Sequence, residues 1–187
     1  MAWAMMRSAP FIPIAGRYYT SPGPYSGDTA SDFSTGAGNV NVTSFIWPYD
    51  PVVWTQVGLS VTASAIGKVF RIGIYHDTGA GLPGLPWWQG TEGSLGSVAD
   101  VFETVSGGLA MAPGFYHVAV ATDSGAAQLE SVSNSDIRYY GADDGANSAT
   151  SWLRYSVSWV SGDDLPDLTN ETPTHRTSSA PRICFVA

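Results

Sequence analysis

The chain has 187 residues, enough for one domain with its own core, and a globular chain of that size buries roughly 70% of its extended-chain surface. The net charge is −8, with Lys68 the single lysine, which argues against a nucleic-acid partner and an anionic membrane surface, because both are held by cationic side chains. Charged residues are only 13% of the chain, about half the usual share, so the surface must be built from Ser, Thr, Asn and Gly, which suits contact with like copies or neutral sugars.

The chain opens with Met1-Ala-Trp-Ala-Met-Met-Arg-Ser-Ala-Pro10. Arg7 follows the apolar run and the run is short, so the segment does not read as a secretory signal. No stretch approaches the ~20 apolar residues of a membrane span. Residues 1–15 read as a short extended arm that docks elsewhere, with Trp3 and Phe11 as its anchors. Residues 16–187 read as one domain. Within it, residues 17–38 carry Ser21-Pro-Gly-Pro-Tyr-Ser-Gly27 and Thr35-Gly-Ala-Gly38. That density of Pro and Gly forbids a helix and predicts extended or irregular chain.

Strands follow. Asn39–Phe45 alternates in polarity. Thr55–Thr62 places Val57, Leu59 and Val61 on one face. Val69-Phe-Arg-Ile-Gly-Ile-Tyr75 has the period of two that a half-buried strand needs. Ala99–Thr104 is next; Val98–Glu103 is also long enough for a helical turn, but its β-branched residues and nearby glycines oppose one. Phe115–Thr122 and the shorter Gln128–Val132 continue the series. Ser151–Trp159 puts Leu153, Tyr155, Val157 and Trp159 on one face, and Arg182–Ala187 closes the chain. About eight strands separated by turn signals predict an all-β antiparallel β-sandwich of jelly-roll type.

Three long connections remain: Asp77–Leu95, Ser133–Thr150 and Val160–Ala180. Loops of this length in a compact domain are usually functional or disordered. The first holds Trp87-Trp88, the sharpest binding feature of the sequence. Two large aromatics in a Gly/Pro-rich loop anchor an interface, plug one end of the sandwich, or stack on a sugar.

Little else points to chemistry. His76, His117 and His175 lack metal spacing, and there is no HExxH or CxxC. His117 reads as a sheet-face histidine with a local partner, and His76 beside Asp77 is a weak dyad candidate. No Gly-x-Ser-x-Gly elbow occurs. Asp143-Asp144 and Asp163-Asp164 read as solvated loop acids. A glycosidase needs opposed carboxyls ~5–10 Å apart, which sequence neighbours supply poorly. With Asn147 and Asp167 these loops carry hard oxygen ligands, but without EF-hand spacing. No metal, cofactor or catalytic residue is therefore expected. Cys184, the one cysteine, reads as a buried apolar thiol. Asn41-Val-Thr43 and Asn170-Glu-Thr172 match the glycosylation pattern by chance.

One order of motifs goes further. Ala15-Gly-Arg-Tyr-Tyr19 is followed by Ile46-Trp-Pro-Tyr-Asp-Pro51 and by Phe70–Tyr75. Then come Gly81-Leu-Pro-Gly84, Pro113-Gly-Phe-Tyr-His-Val-Ala119 and Ala180-Pro-Arg-Ile183. Over about residues 15–187 this order resembles the β-sandwich modules of tail-fibre and minor tail proteins of siphophages, notably those infecting actinobacteria. The resemblance implies a non-enzymatic virion component on the tail or capsid surface. It implies a homo-oligomer, with a trimer favoured, contacting other virion proteins and host-surface glycan, without nucleic acid and without membrane insertion. Family modules often end a longer fibre, whereas here only a short arm precedes the sandwich, so a capsid decoration or head-fibre protein stays open. So does a carbohydrate-binding or glycan-processing sandwich domain.

Overall fold

The computed structural model describes residues 18–21, 32–47, 51–132, 152–176 and 179–187. The arm with Trp3 and Phe11 and the loop with Asp143-Asp144 lie outside these residues. The strands, in chain order, are β1 (Tyr18–Ser21), β2 (Phe33–Ser34), β3 (Val40–Trp47), β4 (Val52–Ala63), β5 (Val69–Asp77), β6 (Pro83–Gln89), β7 (Gly93–Ser94) and β8 (Ala99–Met111). They continue with β9 (Gly114–Thr122), β10 (Gln128–Leu129), β11 (Ser131–Val132), β12 (Trp152–Tyr155), β13 (Thr174–Arg176), β14 (Ala180–Pro181) and β15 (Ile183–Val186). Every strand pairing among the described residues is antiparallel.

The strands form a β-sandwich. One sheet runs β1-β15-β4-β10-β2, with β8 on the other side of β4. The second runs β13-β12-β3-β9-β5-β6, with β7 also paired to β5. The apolar sides that alternation predicts meet between them. Val57, Leu59, Val61, Ile183 and Phe185 of the first sheet pack with Phe45, Phe70, Ile72, Ile74, Val118 and Val120 of the second. Burying each such side chain contributes about 1.5–3 kcal/mol.

One departure from strict alternation in β4 is accommodated by a bulge in its pairing with β8. Val52 and Trp54 belong to the same core as Val57 and Leu59, although their spacing is odd. Pairing slips between Trp54 and Gln56, where Thr55 stands against residues 105–108 of β8. An irregularity of that kind resets which side chains face inward. Gly107 and Gly108, both with positive φ, supply the left-handed backbone the excursion needs.

The second sheet has a further layer on its outer face. Val40, Val42, Tyr75, Ala119, Ala121, Leu153 and Tyr155 form a separate buried cluster there, closed by Trp159, Leu165 and Leu168. The expected loop 160–180 is therefore mostly a cover and not a free display segment. Among its described residues, strand is confined to Thr174–Arg176 and to Ala180 at its end. Strand β12 stops at Tyr155, short of the expected Trp159, and Ser158 adopts a left-handed φ of 58°. Trp159 still reaches the predicted face, because its amide donates to Gly38 O at 2.9 Å and its indole donates to Asp163 O at 3.0 Å.

Candidate functional site

Trp87 and Trp88 do not lie in a loop. They sit in β6, the edge strand beside β5. The sequence hid this strand because Pro83 and Pro86 within it are strand breakers. An edge strand tolerates proline, since one row of its amides needs no ladder partner. In the pairing, Trp88 opposes Ile74 and Pro86 opposes Tyr75, so Trp87 is the extra residue of a bulge. Consecutive residues normally face opposite sides. Here the bulge turns both indoles onto the inner core, where both are half-buried.

Trp87 belongs to a chain of rings that runs from the core to the surface. Trp47 meets Trp54 at 5.4 Å, and Trp54 meets Phe185 at 5.6 Å. Phe45 lies 5.7 Å from Phe185 and 5.8 Å from Tyr116. Tyr116 stacks on Trp87 at 5.7 Å, and Trp87 on the exposed His76 at 4.7 Å. Such pairs contribute about 0.5–1.5 kcal/mol beyond burial. The ring chain ends at the sheet edge in a half-buried indole beside an exposed imidazole.

His76 is thus an aromatic neighbour of Trp87, and the carboxylate of Asp77 goes elsewhere. Its Oδ1 lies 3.1 Å from Nε2 of His117, whose Nδ1 lies 2.5 Å from Ser44 Oγ. Ser44 and Tyr75 are the register partners of His117 on β3 and β5. The row therefore crosses the outer face of the second sheet. Sequence reasoning placed His117 on a sheet face but missed both partners, because they come from strands 40 and 73 residues away. A serine, a histidine and an aspartate in line are the residue types of a hydrolase triad. Ser44 and His117 are fully buried, so this hydroxyl cannot meet a substrate. Burial lowers the imidazole pKa, while Asp77 partly offsets that. The neutral ring with Nε2–H donating to Asp77 and Nδ1 accepting from Ser44 satisfies both contacts.

The remaining candidates are resolved singly. Asp163 and Asp164 are exposed, and Asp164 accepts from Arg71 at 3.4 Å. Asp167 is exposed and is held below the usual carboxylate range by the side-chain and backbone donors of Thr169. No group of three His, Cys, Asp or Glu side chains converges among the described residues. Asn41 is fully buried and its Nδ2 donates to Thr35 O at 3.2 Å, so it is not a glycosylation acceptor in the folded chain. His175 is exposed on β13.

A cleft of about 230 Å³, which no sequence motif marks, opens between the sheet edges. It is lined by Asp32, Phe33, Ser34, Trp152, Arg154, Arg176 and Ser179. Among known proteins, no family model matches this chain, and no curated sequence matches it.

Proposed function

We propose that this protein is a non-enzymatic structural component of a bacteriophage particle. It takes a minor tail or tail-fibre position, where it contacts the host surface. The observation that supports this reading most is that the motif order falls on one antiparallel sandwich. Tyr18–Ser21, Val69–Asp77, Pro83–Gln89, Gly114–Thr122 and Ile183–Val186 are all strands of that single framework. A sandwich with few charges suits an exposed scaffold that presents weak contacts in several copies, where multivalency supplies avidity. The half-buried Trp87 beside exposed His76 is the surface this reading assigns to glycan, since aromatic rings on a rigid strand stack on sugar faces at little entropic cost.

Labelled localisation of the chain on intact particles tests the placement. Label at the tail is the expected result. Label in copy numbers that follow the capsid lattice replaces the reading with a decoration protein, and label absent from particles ends it. For the contact surface, His76→Ala and Trp87→Ala are expected to weaken adsorption while the melting transition stays cooperative. Unchanged adsorption by both folded variants removes the aromatic edge from the reading.

A further inference from the structure

Arg154 and Arg176 lie side by side on one face of the second sheet, at the open side of the sandwich. Trp152 points into the inner core, so Arg154, two residues on, shares its face. In the β12–β13 pairing Trp152 opposes Arg176 and Arg154 opposes Thr174. Opposed residues share a face, so Arg176 is the diagonal neighbour of Arg154. Both line the cleft, whose other wall is Asp32, Phe33 and Ser34 at the edge of the first sheet.

Among the described residues, no carboxylate pairs with either of these arginines. Lys68, Arg71 and Arg182 each have a carboxylate within 4.0 Å. Arg154 instead donates to two neutral oxygens, Asn41 Oδ1 at 3.3 Å and Thr35 O at 3.5 Å, and its guanidinium lies 5.0 Å from the Trp152 ring centroid. The Nε–H of Arg176 is buried and meets no hydrogen-bond acceptor among the described residues, a state it shares with the Nε–H groups of Arg71 and Arg182, whose charges are paired. Asp32 is exposed on the rim and forms no ion pair with either arginine. Burial, and after it the charge of Arg176, pulls Arg154 below the ordinary guanidinium pKa. Two guanidinium groups held together in a chain of net charge −8 repel each other, and arginine does not escape by losing its proton. An unmet buried donor also destabilises the folded chain. One oxyanion between the two forks removes both penalties through charge-assisted hydrogen bonds.

We infer that the cleft between β2 and the β12–β13 edge is a binding site for an oxyanion, a phosphate or carboxylate group borne on a small molecule or polymer, held by Arg154 and Arg176 with Ser34 and Ser179 at its sides. Trp152 forms an apolar wall for the part of the ligand that carries the anion. The site is separate from the aromatic edge at His76 and Trp87, and stands or falls independently of the proposed role.

Thermal melts at constant ionic strength test it, with inorganic phosphate, glucuronate or glucose replacing sodium chloride. Ligand that binds only the folded state raises the melting temperature in a saturable way. Phosphate or glucuronate is expected to do so and glucose is not. Phosphate acting alone identifies a phosphate-bearing ligand, and glucuronate acting alone a carboxylate-bearing one. Arg176→Gln is expected to weaken the effect by about tenfold or more, the scale of one charge-assisted contact, while Lys68→Gln, with the same charge change at a distant surface pair, keeps it. An equal effect in Arg176→Gln and the parent, or no effect of either anion beyond chloride, overturns the inference. Should Arg176→Gln fail to fold, the Nε–H resonances of the parent decide. Those of Arg154 and Arg176 are expected to move with phosphate while those of Arg71 and Arg182 stay. Uniform or absent movement overturns the inference equally.

Discussion

Asp77 and His117 sit on neighbouring strands of the second sheet, with Oδ1 of the first 3.1 Å from Nε2 of the second. Ser44 completes the row on a third strand. The three side chains tie β3, β9 and β5 together on a face otherwise packed with apolar groups. Each buried polar member is therefore worth more broken than made, since an orphaned buried donor or acceptor costs about 1–3 kcal/mol. Ser44→Ala is expected to lower the unfolding free energy by that amount, measured by denaturant titration.

The same row makes the fold acid-sensitive. Burial lowers the His117 pKa below its unfolded value. Below the unfolded value near 6.5 the unfolded chain takes up a proton that the folded chain refuses. The stability contributed by neutral His117 is thus full above about pH 6.5 and declines as pH falls from there toward the folded pKa. His117→Gln is expected to be less stable at pH 7.5 and to lose this slope between pH 7 and 5. A variant with the parent slope would assign the acid response to another group.

Gly73 is where the cover segment touches the sheet. A Cβ there would overlap Leu165 Cδ1 and approach Trp88 O to 3.2 Å. Gly73→Ala is expected to cost about 1–3 kcal/mol by overpacking. Combining it with Leu165→Ala should cost less than the two single losses summed, because the second change vacates the space the first needs. Strict additivity in denaturant melts would mean that Leu165 does not seat on Gly73 in solution.

Glu103 points inward from the edge strand β8, opposite Val57. Burial raises its pKa, against the pull of Thr91 and Arg71, and its Oε1 meets no partner. The ionised form is penalised in full above the raised pKa, and the penalty fades as pH falls through that value toward the ordinary one. Glu103→Gln is therefore expected to stabilise the fold modestly at pH 7 and to be neutral below about pH 4, as read by melts at both pH values. An inward charge on an open edge also deters pairing with a second sheet. More association by Glu103→Gln at high concentration would accompany that gain.

Cys184 is buried in β15, where it alternates with the core residues Ile183 and Phe185, and its thiol pKa is pushed up to about 11, chiefly by burial. A thiol reagent at pH 8 should label it in denaturant and leave it unlabelled in the native protein. Rapid native labelling would show that the β1–β15 edge opens locally.

Much of this architecture was legible in the chain because a two-residue period reports directly which side is buried. Val69–Tyr75, Phe115–Thr122 and Thr55–Thr62 all became strands, and Val57, Leu59 and Val61 face the core together as expected. Strand β6 was not legible, because Pro83 and Pro86 speak against a strand until its edge position is known. The burial of Trp87 and Trp88 on one side was hidden for a related reason, since a bulge depends on the partner strand's register. The segment around Leu165 read as an acidic loop, yet its two leucines cap an outer face that only the assembled sheet creates.

By itself, then, the sequence determined an all-β sandwich, the inward face of Thr55–Thr62, and the burial of Cys184. All of these follow from local alternation and apolarity. Only the tertiary structure decided that Asp77 serves His117 and not its neighbour His76, that the tryptophan pair is a bulged edge strand, and that Arg154 and Arg176 share one cleft. Those relationships join residues distant along the chain, and register and sheet packing, which no local pattern encodes, bring them together.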